Sequence, residues 1–127
     1  MKILIVEDEP DTRQILMDFL QQTGHVVCST STCAGAARLL AGESPDLVLL
    51  DIDLGEMELS GFDVARLMRN DPHWKQIPIV VTSGMPPEEI RTRASENAFE
   101  GLHCIMLGKP PDLDALLDII RRYEKSP

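Results

Sequence analysis

The sequence is poor in positive charge. Its 127 residues include 12 Lys and Arg against 21 Asp and Glu, which gives a formal net charge of -9 at pH 7. A chain this acidic repels the phosphate backbones of DNA and RNA. We therefore expect no direct contact with nucleic acid.

Long apolar runs and paired cysteines are also missing. A membrane-spanning helix needs about 20 consecutive apolar residues, and no run in the sequence approaches that length. Met1-Lys2 leads directly into a strand-like segment rather than a signal peptide. Cys28, Cys33 and Cys104 are odd in number and lack CxxC spacing, which fits reduced thiols better than a disulfide framework or a zinc site. These absences favour a cytoplasmic protein without membrane contact.

No Ser/Gly-rich linker, internal repeat or low-complexity tract interrupts the chain. With 43% hydrophobic and 26% charged residues, the composition is typical of a globular protein. A domain of this length can bury roughly two thirds of its unfolded surface. The sequence therefore predicts a single domain over residues 1–127.

Short apolar runs alternate with segments of helical periodicity along the whole chain. The predicted strands occupy residues 3–6, 25–28, 47–50, 77–81 and 104–107. Runs that are apolar throughout are typical of strands buried on both faces of a parallel sheet with right-handed helical crossovers. The pattern predicts an α/β fold, a doubly wound sandwich of three layers.

Helical spacing predicts which side chains face the core. The predicted inward residues are Ile15, Leu16, Phe19 and Leu20 in the first helix, Val64, Leu67 and Met68 in the third, and Leu113, Leu116, Leu117 and Ile120 in the last. Gly42 is predicted to close the second helix and Asp112 to cap the last. A fourth helix, weakly apolar, is predicted to follow Pro86-Pro87.

Polar side chains follow four of the predicted strands. They are Glu7 and Asp8 after the first strand, Asp51 and Asp53 after the third, Thr82 and Ser83 after the fourth, and Lys109 after the fifth. Sites in open parallel sheets lie beyond the carboxyl ends of the strands. Crowded carboxylates repel each other unless a cation offsets their charge. Because no His or Cys stands at these strand ends, the donors select a hard ion such as Mg²⁺ or Mn²⁺.

Each of these residues also has an ordinary structural explanation when it is taken alone. Asp8 could cap the helix that starts at Pro10, and Asp51 could bind loop amides. Thr82 could be a β-branched residue at a strand end, and Lys109 a solvated charge. Their joint placement at one edge of the sheet favours a functional site.

Four short segments, taken together, resemble the receiver domain of bacterial two-component response regulators. They are VEDE at 6–9, PDLVLLD at 45–51, VTS at 81–83 and KP at 109–110. Their order and spacing match that family over essentially the whole chain. The resemblance implies a flavodoxin-like five-stranded parallel sheet of strand order 2-1-3-4-5.

The resemblance also implies a phosphorylation switch. A sensor histidine kinase or a phosphotransfer protein would supply the phosphoryl group, and a downstream protein effector would receive the signal. Some members of the family form homodimers on phosphorylation, so a second copy of the chain is a further possible partner. Such a domain catalyses its own phosphorylation and dephosphorylation only, so it is not an enzyme with a separate substrate.

The resemblance implies a role for each acidic residue of the site. Asp51 would be the phosphoacceptor. Asp8 and Asp51 would bind Mg²⁺ directly, Asp53 would contribute its backbone carbonyl, and Glu7 would reach the metal through water.

The resemblance implies a second set of residues for the phosphoryl group and the response to it. Lys109 would hold one phosphoryl oxygen, and the Thr82 hydroxyl would bond another. Thr82, Ser83 and Met106 would then form the switch that conveys phosphorylation to a protein-interaction surface.

The sequence departs from the family pattern at three places. Met106 stands where the family commonly has an aromatic residue, so a switch through an aromatic hydroxyl is not available. The loop from Gly55 to Ser60 is about two residues longer than is typical. Pro111 replaces a bulky apolar residue.

Other function classes remain open on the residues alone. Met106 and the longer loop are compatible with a receiver-like interaction module that is not phosphorylated. Asp51-Ile52-Asp53 after a buried strand is also compatible with an aspartyl-phosphate phosphatase of the haloacid dehalogenase type, although no segment offers a cap domain. A nucleotide or flavin binder fits less well, because the sequence has neither GxxxxGK[ST] nor GxGxxG.

Overall fold

A computed structural model describes residues 1–52, 61–84, 88, 104–109 and 111–124 of the chain. The elements in these ranges are β1 (Lys2–Val6), α1 (Pro10–Gln22), β2 (Val26–Thr30), α2 (Cys33–Glu43), β3 (Leu47–Asp51), α3 (Gly61–Arg69), β4 (Ile79–Ser83), β5 (Ile105–Gly108) and a C-terminal helix (Leu113–Glu124). The helix predicted after Pro86-Pro87 falls outside the described residues apart from Glu88. None of the described helices is long and apolar enough to cross a membrane.

The strands form one parallel sheet in the order β2-β1-β3-β4-β5. This confirms the predicted sheet and its strand order. The register pairs Val6 with Leu50 and Asp51 with Thr82. The carboxyl ends of the three central strands are therefore level at one edge of the sheet.

Two buried clusters cover the two faces of the sheet. On one face, Leu4, Val6, Val48, Leu50 and Val81 pack with Leu40 of α2 and with Phe62, Val64 and Met68 of α3. On the other face, Ile3, Ile5, Leu47, Leu49 and Val80 pack with Leu16 and Leu20 of α1 and with Leu116 and Ile120 of the C-terminal helix. Successive strand residues point to opposite faces, so the central strands supply both clusters and must be apolar throughout.

The prediction that the strands are buried on both faces is confirmed for the central strands and is wrong for the edge strands β2 and β5. β3 and β4 are completely buried, whereas the residues of β2 and β5 are half-buried or exposed. A strand at a sheet edge has a neighbour on one side only, and the helices cover it incompletely.

Two residues that were predicted to face the core lie at the surface. Ile15 is 58% exposed and Leu67 is 42% exposed. Adjacent residues of a helix are about 100° apart around its axis. Ile15 and Leu67 each precede a buried residue, Leu16 or Met68, and lie beyond the arc that the sheet covers.

The structure corrects one predicted helix end and confirms another cap. α2 continues through Gly42 to Glu43 and ends at Ser44, which has a left-handed φ of 48°. At the C-terminal helix, the Asp112 side chain accepts hydrogen bonds from the backbone N–H groups of Asp114 at 3.0 Å and Ala115 at 3.2 Å. Asp112 therefore caps this helix as predicted.

Candidate functional site

Two buried carboxylates stand at the carboxyl ends of β1 and β3. Glu7 directly follows β1, Asp51 is the last residue of β3, and each is 2% exposed. The backbone of Glu7 is held from two sides. Its N–H donates to the Thr30 carbonyl at 3.0 Å, and its carbonyl accepts from Arg13 Nη1 at 2.9 Å. Contacts with β2 and α1 thus fix the backbone position of Glu7, the first of the three consecutive acidic residues Glu7, Asp8 and Glu9.

The helix cap next to this segment is Glu9 rather than Asp8. The Glu9 side chain accepts from the backbone N–H groups of Asp11 at 3.3 Å and Thr12 at 2.6 Å. Hydrogen bonds from the Thr12 side chain and backbone lower the pKa of Glu9. The capping explanation for Asp8 is therefore wrong.

Asp8 instead belongs to a cluster of three carboxylates with Glu7 and Asp51. One oxygen atom from each lies within 4.8 Å of the others. Burial, followed by the negative charge of Asp51, raises the pKa of Asp8. A nearby cation would offset both effects and favour the ionised form of Asp8.

Lys109 joins this cluster from the residue after β5. Its Nζ atom donates to Glu7 Oε1 at 2.6 Å and to Asp51 Oδ2 at 3.1 Å. Burial by itself would lower the pKa of Lys109, but the hydrogen bonds and charges of Glu7 and Asp51 outweigh it, and the pKa is raised. The lysine is therefore held in its charged form.

The donor set of the cluster suits a divalent cation. Among the described residues, the ion pairs of these three carboxylates involve one lysine, so the negative charge of the cluster exceeds the positive charge paired with it. All three side chains offer oxygen, which is the ligand type that Mg²⁺ and Mn²⁺ prefer. Glu7, Asp8 and Asp51 could therefore hold such an ion. Asp53, whose backbone carbonyl was predicted to complete the set, lies outside the described residues.

Thr82 and Ser83 lie beside this cluster on β4. Both are buried, with 3% and 2% of their surface exposed, and Thr82 is paired with Asp51 across the ladder. β4 begins and ends two residues later than predicted, so these hydroxyl residues are part of the strand. Ser83 pairs with Gly108, the residue before Lys109.

Two of the three predicted departures from the family pattern, Met106 and Pro111, lie within the described residues. Met106 is on β5, is paired with Val81 and is 37% exposed. Pro111 is half-buried. The segment from Gly55 to Ser60 lies outside the described residues, and so does Pro110.

Two residues near the cluster were missed by reasoning from the sequence. Arg13 bonds the Glu7 carbonyl, and the backbone of Gly61 lies against that of Asp51. Helical spacing carries a signal for Arg13, which follows the cap residue Glu9 by four positions, or about one helical turn, and so lies near the end of β1. Nothing in the sequence places Gly61 against Asp51, because this contact forms when the start of α3 packs against the end of β3.

A cavity of about 510 Å³ lies away from the carboxylates. Its lining includes Ser44 and Pro45, which precede β3, and Trp74 and Ile77, which precede β4. The cavity therefore lies at the amino-terminal ends of these strands, on the side of the sheet opposite to the carboxylate cluster. Trp74 also packs against the core there.

Comparisons with known proteins agree on one family. The family model of the response regulator receiver domain matches residues 3–121. A 14.6 kDa protein encoded 3′ of sodA1 in Leptolyngbya boryana is 31% identical over 123 residues, which cover 97% of this chain and 89% of that protein. The transcriptional regulatory protein KdpE of Mycobacterium tuberculosis is 35% identical over 120 residues, which cover 94% of this chain and 51% of KdpE. The chain thus spans about half the length of KdpE.

A solved structure shows the same fold. It is the signal receiver domain of a DNA-binding response regulator from Colwellia psychrerythraea 34H, with a TM-score of 0.84. The match covers 99% of both chains at 22% sequence identity. At this identity, the likeness concerns the arrangement of strands and helices.

Proposed function

This chain belongs to the response regulator receiver domain family, and on that premise we propose that it accepts a phosphoryl group on Asp51. The donor would be the phosphohistidine of a sensor histidine kinase or of a phosphotransfer protein. The observation that carries the proposal is the position of Asp51: a buried carboxylate at the sheet edge, bonded to Lys109 and grouped with Glu7 and Asp8.

The transfer exchanges one bond to phosphorus for another. A carboxylate oxygen of Asp51 forms a bond to phosphorus while the bond from phosphorus to the histidine nitrogen breaks. Carboxylates are ordinarily ionised at neutral pH, so the nucleophile needs no general base. Phosphoryl transfer depends mainly on in-line positioning and on neutralising charge.

The residues around Asp51 divide these tasks. Lys109 already contacts Asp51 and would hold one phosphoryl oxygen. The Thr82 hydroxyl would donate to another, since Thr82 is paired with Asp51 across the ladder. A divalent cation held by Asp8 and Asp51, with Glu7 acting through water, would neutralise the remaining charge when bound.

Release of the phosphoryl group needs only water. Hydrolysis of the acyl phosphate regenerates the Asp51 carboxylate and produces inorganic phosphate. The chain therefore acts on itself in both steps and has no separate substrate. Phosphorylation would draw Thr82 toward the phosphoryl oxygens and change the surface near β4 and β5, where a protein effector or a second copy would bind.

Phosphorylation of purified protein tests this proposal. With Mg²⁺ and acetyl phosphate, we expect a mass increase of one phosphoryl group that hydroxylamine removes, and no increase when EDTA replaces Mg²⁺. Asp51→Asn should take no label. Asp46→Asn is the matched control, because Asp46 bonds the Lys2 backbone outside the carboxylate cluster, and it should be labelled as the wild type is.

Two outcomes would count against the proposal. A label that persists in Asp51→Asn would assign the acceptor to another residue. A wild-type protein that takes no label at any acetyl phosphate concentration, while Mg²⁺ still binds, would favour the interaction module that is not phosphorylated.

A further inference from the structure

We infer that Gly61 is a positioning residue for Asp51. Gly61 is the first residue of α3, and its lack of a side chain lets the start of this helix lie directly against the backbone of Asp51 and Ile52. The expected effect on phosphoryl transfer rests on the proposed function. The contact between Gly61 and the Asp51 backbone does not depend on that function.

Any side chain at position 61 would meet backbone atoms. A Cβ atom built on Gly61 overlaps the Asp51 carbonyl oxygen, lies 2.7 Å from Ile52 Cα and lies 3.0 Å from the Asp51 carbonyl carbon. Real Cβ atoms essentially never approach another heavy atom below 3.0 Å. Backbone atoms cannot rotate away as the end of a side chain can, so either α3 or Asp51 would have to move.

Hydrogen bonds would transmit a movement of α3 to the backbone next to Asp51. The Gly61 N–H donates to the Ile52 carbonyl at 2.8 Å, and the Ile52 N–H donates to the Thr82 carbonyl at 3.1 Å. The backbone that follows Asp51 is thus held by β4 on one side and by Gly61 on the other. A shift at this point would alter the 3.1 Å contact between Asp51 Oδ2 and Lys109 Nζ.

Backbone conformation does not explain the glycine. Among the described glycines, only Gly24 has a positive φ, at 94°. Gly61 therefore has a φ that other residues can adopt, and alanine has the better helix propensity. The close approach to Asp51 is the feature that requires glycine at this position.

The chain supplies two matched controls. Gly42 lies inside α2, and a Cβ atom there would meet nothing within 4 Å, so Gly42→Ala tests the same substitution without a collision. Val64 is on α3 and is 1% exposed. Val64→Ala should destabilise the same helix through a cavity, with no new atom placed against Asp51.

The experiment measures the phosphorylation rate per folded molecule and the dissociation constant for Mg²⁺. For Gly61→Ala we expect a rate loss of about tenfold to a hundredfold, because a misplacement of about 1 Å costs that much in a positioned reaction. We also expect weaker Mg²⁺ binding and shifted amide resonances of Ile52 and Thr82. Gly42→Ala and Val64→Ala should keep a rate within about twofold of the wild type.

Several results would overturn the inference. One is a phosphorylation rate per folded molecule in Gly61→Ala that equals that of the wild type. Another is an equal loss of rate in Val64→Ala, which would show that the loss comes from destabilisation of α3 rather than from displacement of Asp51. If Gly61→Ala does not fold, hydrogen exchange on the wild type decides. The Gly61 amide should then be protected as well as the Ile52 amide, and an unprotected Gly61 amide would contradict the inference.

Failure of the inference can be told apart from failure of the proposed function. If neither the wild type nor any variant takes a phosphoryl label, the proposed function fails. Mg²⁺ binding and the amide resonances still test Gly61 in that case, since both report the position of the Asp51 backbone without any phosphoryl transfer.

Discussion

The Nζ atom of Lys109 lies 2.6 Å from Glu7 Oε1. These residues are 102 positions apart in the sequence, and their contact ties the end of β5 to the end of β1. The same lysine atom is 3.1 Å from Asp51 Oδ2. One cation thus compensates two buried carboxylates, and the proposed phosphoacceptor is the more distant of the two.

Lys109→Met should destabilise the protein. The variant leaves Glu7 and Asp51 buried without their lysine, and removing one partner of a buried ion pair costs about 3 kcal/mol. Urea unfolding at pH 7 without divalent metal measures this change in the free energy of unfolding. Lys75→Met, at an exposed position, is the control and should stay within about 0.5 kcal/mol of the wild type.

Added Mg²⁺ should return more stability to Lys109→Met than it adds to the wild type, because the ion replaces the lost positive charge. Equal unfolding midpoints for Lys109→Met and Lys75→Met would show that the ion pairs carry no net stability.

Asp8→Asn should stabilise the metal-free protein at neutral pH. Burial and the charge of Asp51 raise the pKa of Asp8 above its ordinary value of 3.8, so ionisation of Asp8 costs folded-state stability above that pH. The difference from the wild type should disappear below about pH 3.8, where Asp8 is protonated in both states. Thermal unfolding across this pH range measures the difference.

The same variant should bind Mg²⁺ at least about tenfold more weakly, since even outer-shell partners of a metal contribute that much. Asp18→Asn, exposed on α1, serves as the control for both measurements. An unchanged Mg²⁺ affinity in Asp8→Asn would remove Asp8 from the ligand set.

Glu9→Ala should lower the thermal unfolding midpoint at pH 7. The pKa of Glu9 is lowered from 4.5 by its hydrogen bonds with Thr12, so its stabilising effect is present above pH 4.5. The effect is lost as the pH falls through the lowered pKa. Asp118→Ala removes an exposed acidic side chain from the interior of the C-terminal helix and should not lower the midpoint. A Glu9→Ala deficit that is the same at pH 7 and at pH 3 would contradict the capping role.

Thr82→Val should slow phosphorylation by about tenfold or more, because it removes the hydroxyl that we propose to donate to a transferred oxygen. The rate with acetyl phosphate and Mg²⁺ measures the effect. Ser83→Ala should have the smaller effect. Successive strand residues point to opposite faces, and Thr82 is the one paired with Asp51. If Ser83→Ala slows the reaction more, the two hydroxyl residues have the reverse roles.

Most of the architecture could be predicted because its signals are local. The alternation of apolar runs and helical periodicity predicts the parallel sheet, and the same pattern places Glu7, Asp51 and Lys109 after their strands. Parallel strands bring their carboxyl ends to one edge, so the meeting of these residues follows from the pattern. The exposed positions of Ile15 and Leu67 did not follow, since the width of a covered helix face depends on its neighbours.

The sequence alone therefore determined the class of fold, the order of the strands through a family resemblance, and the residue types that collect at one edge. The tertiary structure decided that Glu9 rather than Asp8 caps α1, that Lys109 is shared between Glu7 and Asp51, and that Gly61 lies against the backbone of Asp51. The reason is physical. Periodicity is a property of neighbouring residues, whereas these contacts join segments whose separation is set only when the helices pack on the sheet.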